Sequence, residues 1–172
     1  AIEISRTLLS PPIASDLDNA IRDIEREVKH LIMASYTTQS RCVPATHLLW
    51  DDNSIKKVWL SGGSSKRGRI ECDPTAEDNE LFASFTGYKS ELVREPRFFT
   101  NGRINASPDM GLSHIFTPRA IRNLDLLLMA VRRQPAALQP SLLTCITAAS
   151  GQMTRMVFAV SGRGKTTGEK SS

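Results

Sequence analysis

An amphipathic helix predicted over residues 16–36 constrains the fold more than any other segment of this chain. Its apolar residues recur at spacings of 4, 3, 4 and 3, and charged residues fill the other faces; the row is Leu17, Ile21, Ile24, Val28 and Leu31. That period marks one face of a helix. Ser15 is expected to cap its N-terminus, and Asp16 in the first turn suits the helix dipole.

This apolar row could pack against either of two surfaces. The favoured one is the core of the chain itself. The alternative is the same row of a second copy, which would make the five residues a self-association surface. The row spans only about two and a half heptads, whereas coiled coils use three or more.

Short strands are expected to follow the helix between residues 41 and 73. Residues 47–50, 55–60 and 69–72 have strand composition, and the last two segments are interpreted as antiparallel partners. A flexible, basic hairpin loop over residues 61–68 would join them. Residues 73–93 are ambiguous, because Pro74 with Glu77 and Glu80 favours a helix while residues 81–86 suit a strand equally well.

The second half of the chain is predicted to be helical after an irregular stretch. Residues 98–100 and 103–104 are candidate short strands around an Asn-Gly turn. Thr117 and Pro118 are expected to open a helix that ends at residues 134–135. A third helix over residues 141–150, with Gly151 as its C-cap, would precede a strand over residues 153–160. The predicted fold class is therefore α+β: an N-terminal helix, a small antiparallel sheet, a helical hairpin and a last strand.

Length and composition favour one domain over residues 1–160 and a basic polar tail over residues 161–172. No apolar run is long enough for a transmembrane helix, and residues 1–10 lack the apolar segment of a signal peptide. The three cysteines are widely spaced, form no disulfide framework and are expected to be mostly buried. These features predict an intracellular location, in the cytoplasm or within a virion.

Residues 157–166 come close to a phosphate-binding loop of the pattern G-x-x-x-x-G-K-[ST]. Gly164, Lys165 and Thr166 match its second half, but Ala159 stands at the first glycine, and six polar residues follow. Six residues are too few for the helix whose N-terminus holds the phosphates. The segment is therefore interpreted as a solvated basic tail.

Charge is distributed unevenly along the chain. Residues 1–80 carry ten Lys and Arg against thirteen Asp and Glu, a net charge of −3, while residues 81–172 carry twelve against five, a net charge of +7. Such polarity fits either an anionic partner for the basic half or association of the acidic part of one copy with the basic part of the next.

The basic residues that we predict to contact phosphate fall into four groups along the chain. Arginine predominates, and its guanidinium group binds phosphate bidentately. Two of the arginines begin a helix, where an external anion would relieve their conflict with the helix dipole. The predicted contacts are Lys56, Lys57, Lys66, Arg67, Arg69, Arg119, Arg122, Arg132, Arg133, Arg163 and Lys165.

Catalytic patterns are weak by comparison. Asp51, Asp52, Glu71 and Asp73 lie near predicted strand ends, and they are the candidates for a metal-dependent enzyme of phosphate chemistry. Turns are rich in Asp for structural reasons, however. Cys42 and His47 form only one loose pair of metal-ligand type, so neither a metal nor a cofactor is expected.

The function predicted from these patterns is that of a non-enzymatic, self-associating structural protein that contacts RNA or another polyanion. A coat, matrix or nucleoprotein-like subunit has this character, and a viral origin is one option. The alternatives are the small metal-dependent enzyme and an adaptor that binds another protein through the first helix. A membrane surface is a further possible polyanion.

Overall fold

A computed structural model of the chain describes Leu9 and residues 11–37, 45–50, 54–61, 69–94, 98–100 and 107–154. Within these residues the chain combines helices with one small antiparallel sheet, which confirms the α+β class. The helices are α1 (Ala14–Ala34), α2 (Ala76–Ala83), α3 (Leu112–Ile115), α4 (Pro118–Arg132), α5 (Gln139–Ser150) and a 3-10 turn (Gly151–Met153), and the strands are β1 (Ala45–Trp50), β2 (Ile55–Ser61) and β3 (Arg69–Cys72).

Helices α1, α4 and α5 pack together and form what we call the helical unit. Its core consists of Ala20, Ile24, Val28, Ala130, Val131 and Leu142. Since Ile24 and Val28 lie in this core, α1 packs against its own chain, as the favoured interpretation predicted. Burial of each such side chain contributes about 1.5 to 3 kcal/mol before conformational entropy is counted.

The predicted cap of α1 is wrong. The helix begins at Ala14, so Ser15 lies inside its first turn, and Ile13 occupies the N-cap without a side-chain hydrogen bond. The backbone carbonyl of Ile13 accepts from the N–H groups of Asp16 and Leu17, which gives the helix its first hydrogen bonds without a polar cap. Ser35 is the C-cap, so the helix also ends before the predicted residue 36.

The sheet and α2 form a second group of elements, which we call the sheet unit. The strands lie in the order β1-β2-β3 and both pairings are antiparallel, as predicted for β2 and β3. β1 begins two residues before the predicted segment, and β2 extends one residue further. Ile55, Val58 and Leu60 of β2 form the core, and Phe82 of α2 packs against them.

Helix α2 resolves the ambiguity over residues 73–93. Thr75 caps it in a reciprocal arrangement: the backbone N–H of Asp78 donates to the Thr75 hydroxyl, and the backbone N–H of Thr75 donates to the Asp78 carboxylate. The helix runs to Ala83 and turns follow. The strand interpretation of residues 81–86 is therefore wrong.

The helical hairpin of α4 and α5 agrees closely with the sequence prediction. The Thr117 hydroxyl accepts from the backbone N–H of Ala120 at 3.1 Å, and Pro118 opens α4 as expected. Helix α5 begins at Gln139, two residues early, and ends with Gly151 as its C-cap. That glycine has φ −55°, so the position does not require a left-handed backbone.

Three further strands were predicted, over residues 98–100, 103–104 and 153–160, and the described parts of them are not strands. Residues 98–100 have no regular structure, and Met153 belongs to the 3-10 turn instead of a strand. The predictions for residues 101–104 and 155–160 lie outside the described residues, as do the hairpin loop at 62–68 and the tail at 161–172. Among the helices of the described part of the chain, none has the length and apolar character needed to cross a lipid bilayer.

Candidate functional site

The structure describes the surroundings of six of the eleven predicted phosphate contacts. Lys66, Arg67, Arg163 and Lys165 lie outside the described residues, and for Arg69 only the backbone, in β3, is described. The other six lie in two places. Lys56 and Lys57 are on β2, while the four arginines belong to α4 and its C-cap.

On the sheet unit, Lys57 is already engaged by acidic residues. Its ammonium group lies 2.7 Å from a carboxylate oxygen of Asp73 and 3.9 Å from one of Glu71. The hydrogen bond to Asp73 raises the pKa of Lys57 and lowers the pKa of Asp73. The indole N–H of Trp59 donates to Glu71 at 3.0 Å. Two of the carboxylates considered as metal ligands therefore contact a lysine and an indole.

Arg119 points into the fold. Its guanidinium carbon lies 4.2 Å from the centre of the Tyr36 ring, and one of its N–H groups donates to the backbone carbonyl of Ser35 at 3.4 Å. Desolvation by burial lowers the pKa of Arg119. The Ser35 carbonyl lies at the C-terminus of α1, where the helix dipole is negative. This carbonyl and the Tyr36 ring therefore stabilise the positive charge of Arg119 in the first turn of α4. Arg119 consequently joins two helices.

The other α4 arginines line one face of the helix. Arg122, Asp125, Met129 and Arg132 follow at spacings of 3, 4 and 3, which places them in one row. The chain around Tyr88 runs beside this row, and Arg122 contributes to the electrostatic environment of the Tyr88 hydroxyl. A cavity of about 470 Å³ lies between that segment and α4, with Tyr88, Lys89, Glu91, Met129, Arg132 and Arg133 in its wall. We call this cavity the basic cleft.

A buried carboxylate fixes the outer wall of the basic cleft. Asp125 is only 5% exposed, and its two oxygens accept from the Tyr88 hydroxyl at 2.8 Å and the Ser90 hydroxyl at 2.6 Å. The Ser90 hydroxyl in turn accepts from the backbone N–H groups of Leu92 and Val93. Burial, with the Asp125 contact, raises the pKa of Tyr88. The segment is thus held against α4 by hydrogen bonds although it has no helix or strand.

The cations of the basic cleft differ in how far they are compensated. Arg133 forms an ion pair with Glu27 of α1. No ion pair joins Lys89 or Arg132 to any residue in the described ranges, although the carboxylate of Glu91 lies in the same wall. Sequence reasoning missed Lys89, since it lies in an irregular segment. The periodic row on α4 was visible, but the segment that covers it was not.

An apolar groove opens over the core of the helical unit, and the core residues Ile24, Val131 and Leu142 are among those that line it. It has a volume of about 250 Å³, and the residues at its surface include Ile21, Leu127, Cys145, Ile146, Ala149 and Met153. Of the predicted self-association row, Ile24 and Val28 are core residues and Leu17 packs against them. Ile21 is 42% exposed at the groove, and Leu31 is 36% exposed. The groove thus combines two residues of the row, Ile21 and Ile24, with side chains from α4, α5 and the 3-10 turn.

Metal-ligand types do not converge in the part of the chain that is described. Cys72 is half-buried at the sheet core, but Cys145 is exposed, contrary to the expectation that the cysteines are buried. The ring Nδ1 of His114 accepts from the backbone N–H of Gly111 at 2.9 Å. Asp51, Asp52, Cys42 and the phosphate-loop-like residues 157–166 lie outside the described residues.

Comparison with known proteins adds no relative. Neither a protein family, nor a curated protein, nor a solved structure matches the chain.

Proposed function

We propose that this protein is a non-enzymatic structural subunit that associates with copies of itself and contacts nucleic acid or another polyanion, as coat, matrix and nucleoprotein subunits do. The apolar groove of the helical unit is the observation that carries this proposal. An open groove lined by Ile21, Leu127, Ile146 and Met153 exposes apolar surface that a partner of similar character would remove from water.

Charge indicates why a second copy is a suitable occupant. Helix α1 carries five acidic and three basic residues, whereas Arg132 and Arg133 are exposed at the C-terminal end of α4. Both helices contribute residues to the groove. We propose that pairing about a two-fold axis along the groove brings acidic α1 of one copy to these arginines of its partner, in an isologous contact.

Nine residues of the described chain line the groove, whereas a stable interface uses about 20 to 30 residues on each side. Stable dimers bury about 800 Å² on each partner. We therefore expect an equilibrium that depends on protein concentration, with dissociation upon dilution. Local concentration on a polyanion would raise occupancy of the interface, because two chains bound to one strand meet at a high effective concentration.

Two neighbouring alanines of α5 provide a matched test of the groove. Ala149 and Ala148 are both exposed in the last turns of the helix, but only Ala149 is among the residues lining the groove. Ala149→Glu should shift sedimentation equilibrium towards the monomer, since it places a charge in the apolar contact. Ala148→Glu changes the net charge and the helix equally and should associate as the unmodified chain does.

Cys145 supplies a second readout of the same interface. Its exposed thiol lies in the groove, so association should slow its reaction with a thiol reagent as protein concentration rises. Equal association of both glutamate variants, or a strictly monomeric unmodified chain at high concentration, would overturn self-association through this groove.

A further inference from the structure

We propose that the basic cleft binds a phosphate group of single-stranded nucleic acid, with the adjoining base against Tyr88 and Met129. This inference rests on the polyanion part of the proposed function and assigns it to a defined site. It selects Lys89 and Arg132 as the principal phosphate contacts from among the basic residues of the described chain.

Two cations of the cleft, Lys89 and Arg132, are suited to an external anion because no acidic residue of the described chain forms an ion pair with them. Lys57 contacts Asp73, and Arg119 packs onto the ring of Tyr36. Lys89 and Arg132, in contrast, form no ion pair with the described residues, and both line one cavity. An arginine fork with a lysine point charge is a common way to hold a phosphate.

The rest of the wall is suited to a base. Tyr88 is 37% exposed and Met129 is 44% exposed, so an aromatic ring and a thioether lie beside the cations. A base can stack on an aromatic ring while its phosphate meets a cation. A cleft of about 470 Å³ falls within the usual size of small-ligand sites. With one aromatic ring, the cleft would hold one nucleotide of a strand.

The site is formed before the ligand arrives. Asp125 holds the hydroxyl groups of Tyr88 and Ser90, which fixes the segment bearing Lys89 relative to the helix bearing Arg132. Binding then orders few groups, and less of the interaction energy is lost to conformational entropy. Glu91 is the one unfavourable group in this wall whose carboxylate is exposed, so it should weaken binding of any anion.

The test uses fluorescence anisotropy of a labelled oligouridylate mixed with the full chain between about 50 and about 200 mM salt. Replacing both Lys89 and Arg132 by Gln should weaken binding roughly tenfold and reduce the log–log salt slope by about 0.7, since the two cations neutralise one phosphate and each neutralised single-strand phosphate contributes about 0.7. The matched control is Arg26→Gln with Lys29→Gln. Those two cations lie on α1, carry the same charge and form ion pairs within the helix, so their loss should leave binding nearly unchanged.

A third variant distinguishes the cleft from a diffuse charge effect. Glu91→Gln should strengthen binding several-fold by removing the carboxylate from the wall. If the cleft variant and the α1 control weaken binding equally, the assignment to the cleft is wrong while the polyanion proposal stands. If the unmodified chain binds neither oligouridylate nor anionic phospholipid vesicles, the polyanion proposal itself fails. The cleft would be a lipid site if the unmodified chain binds anionic phospholipid vesicles but no oligouridylate, and the Lys89 and Arg132 variant loses the vesicle binding. That result would overturn this inference.

Discussion

The sheet unit and the helical unit place their charged groups in opposite ways. On the sheet, the charges lie outside and compensate one another, as Lys57 does with Asp73 and Glu71. In the helical unit, polar groups such as Asn123 and Asp125 are buried at the helix contacts, and cations are left exposed at the cleft. A basic residue is therefore a candidate for binding phosphate only when no acidic residue of the folded chain forms an ion pair with it.

The two units also differ in the depth of their cores. Among the described residues, the buried core cluster of the helical unit has six members and that of the sheet unit has three. Buried polar contacts connect α1 to α4, where the side-chain amide of Asn123 donates to the Ser35 hydroxyl at 3.0 Å. The helical unit should therefore resist perturbation by surface charge but respond strongly to loss of core volume.

The largest expected effect comes from truncating matched valines in the two cores. Val131 of the helical unit is 1% exposed and Val58 of the sheet unit is 0% exposed. Val131→Ala should lower the free energy of unfolding by about 2 to 3 kcal/mol, because apolar burial is lost and a cavity remains. Val58→Ala should cost about 1 to 2 kcal/mol, since fewer buried neighbours hold its cavity open.

Urea unfolding followed by far-ultraviolet circular dichroism measures both variants. A larger decrease in the free energy of unfolding for Val58→Ala than for Val131→Ala would contradict the expectation that the helical unit has the deeper core.

A smaller effect separates buried from exposed carboxylates. Asp125→Ala removes the acceptor of both Tyr88 and Ser90 and should cost about 2 kcal/mol, since two hydroxyls of the cleft wall lose their partner. Asp73→Ala removes an exposed ion pair of the sheet unit and should leave the melting temperature nearly unchanged. Differential scanning calorimetry of the two variants measures their melting temperatures. Equal decreases in melting temperature would contradict the expected difference between the buried and the exposed carboxylate.

The smallest effect is the titration of Tyr88. Its raised pKa means that the folded chain retains the phenol proton at pH values where the unfolded chain has lost it. The stability contributed by this group is complete below the unfolded pKa of about 10 and is lost as pH rises through the folded pKa. Ultraviolet absorbance of the phenolate reports it directly.

Tyr36→Phe leaves Tyr88 as the sole tyrosine and keeps a ring beneath Arg119. Its absorbance midpoint should lie at higher pH in the folded chain than in urea. Coincident midpoints would show that Tyr88 is not held by Asp125.

Local signals predicted the helices, and tertiary contacts decided the site. Thr117 and Pro118 identify the start of α4 because a cap acts within one turn. The prediction that Ser15 caps α1 was wrong because the first hydrogen bonds of the helix are accepted by the backbone carbonyl of Ile13, and no side chain caps its N-terminus. Thr75 and Asp78 lie at capping-box spacing in the sequence, so the start of α2 could have been predicted from the sequence alone.

The site residues depended on partners far away in the chain. Arg119 turns inward to a carbonyl 84 residues distant, and Lys57 meets Asp73 across 16 residues. Lys89 reaches the cleft because Tyr88 bonds to Asp125, 37 residues later. Charge counts along the sequence carry no information on such pairings, so the sequence predicted a basic half without indicating which cations remain exposed.

Sedimentation velocity of the full chain, with and without a labelled oligouridylate, measures self-association and nucleic-acid binding in one experiment. The central claim is that the helical unit both pairs copies through its apolar groove and binds phosphate at its basic cleft. The account predicts that the chain sediments faster as its concentration rises and that the oligonucleotide cosediments with at least two chains. A chain that remains monomeric at every concentration, with the oligonucleotide sedimenting alone, would contradict it.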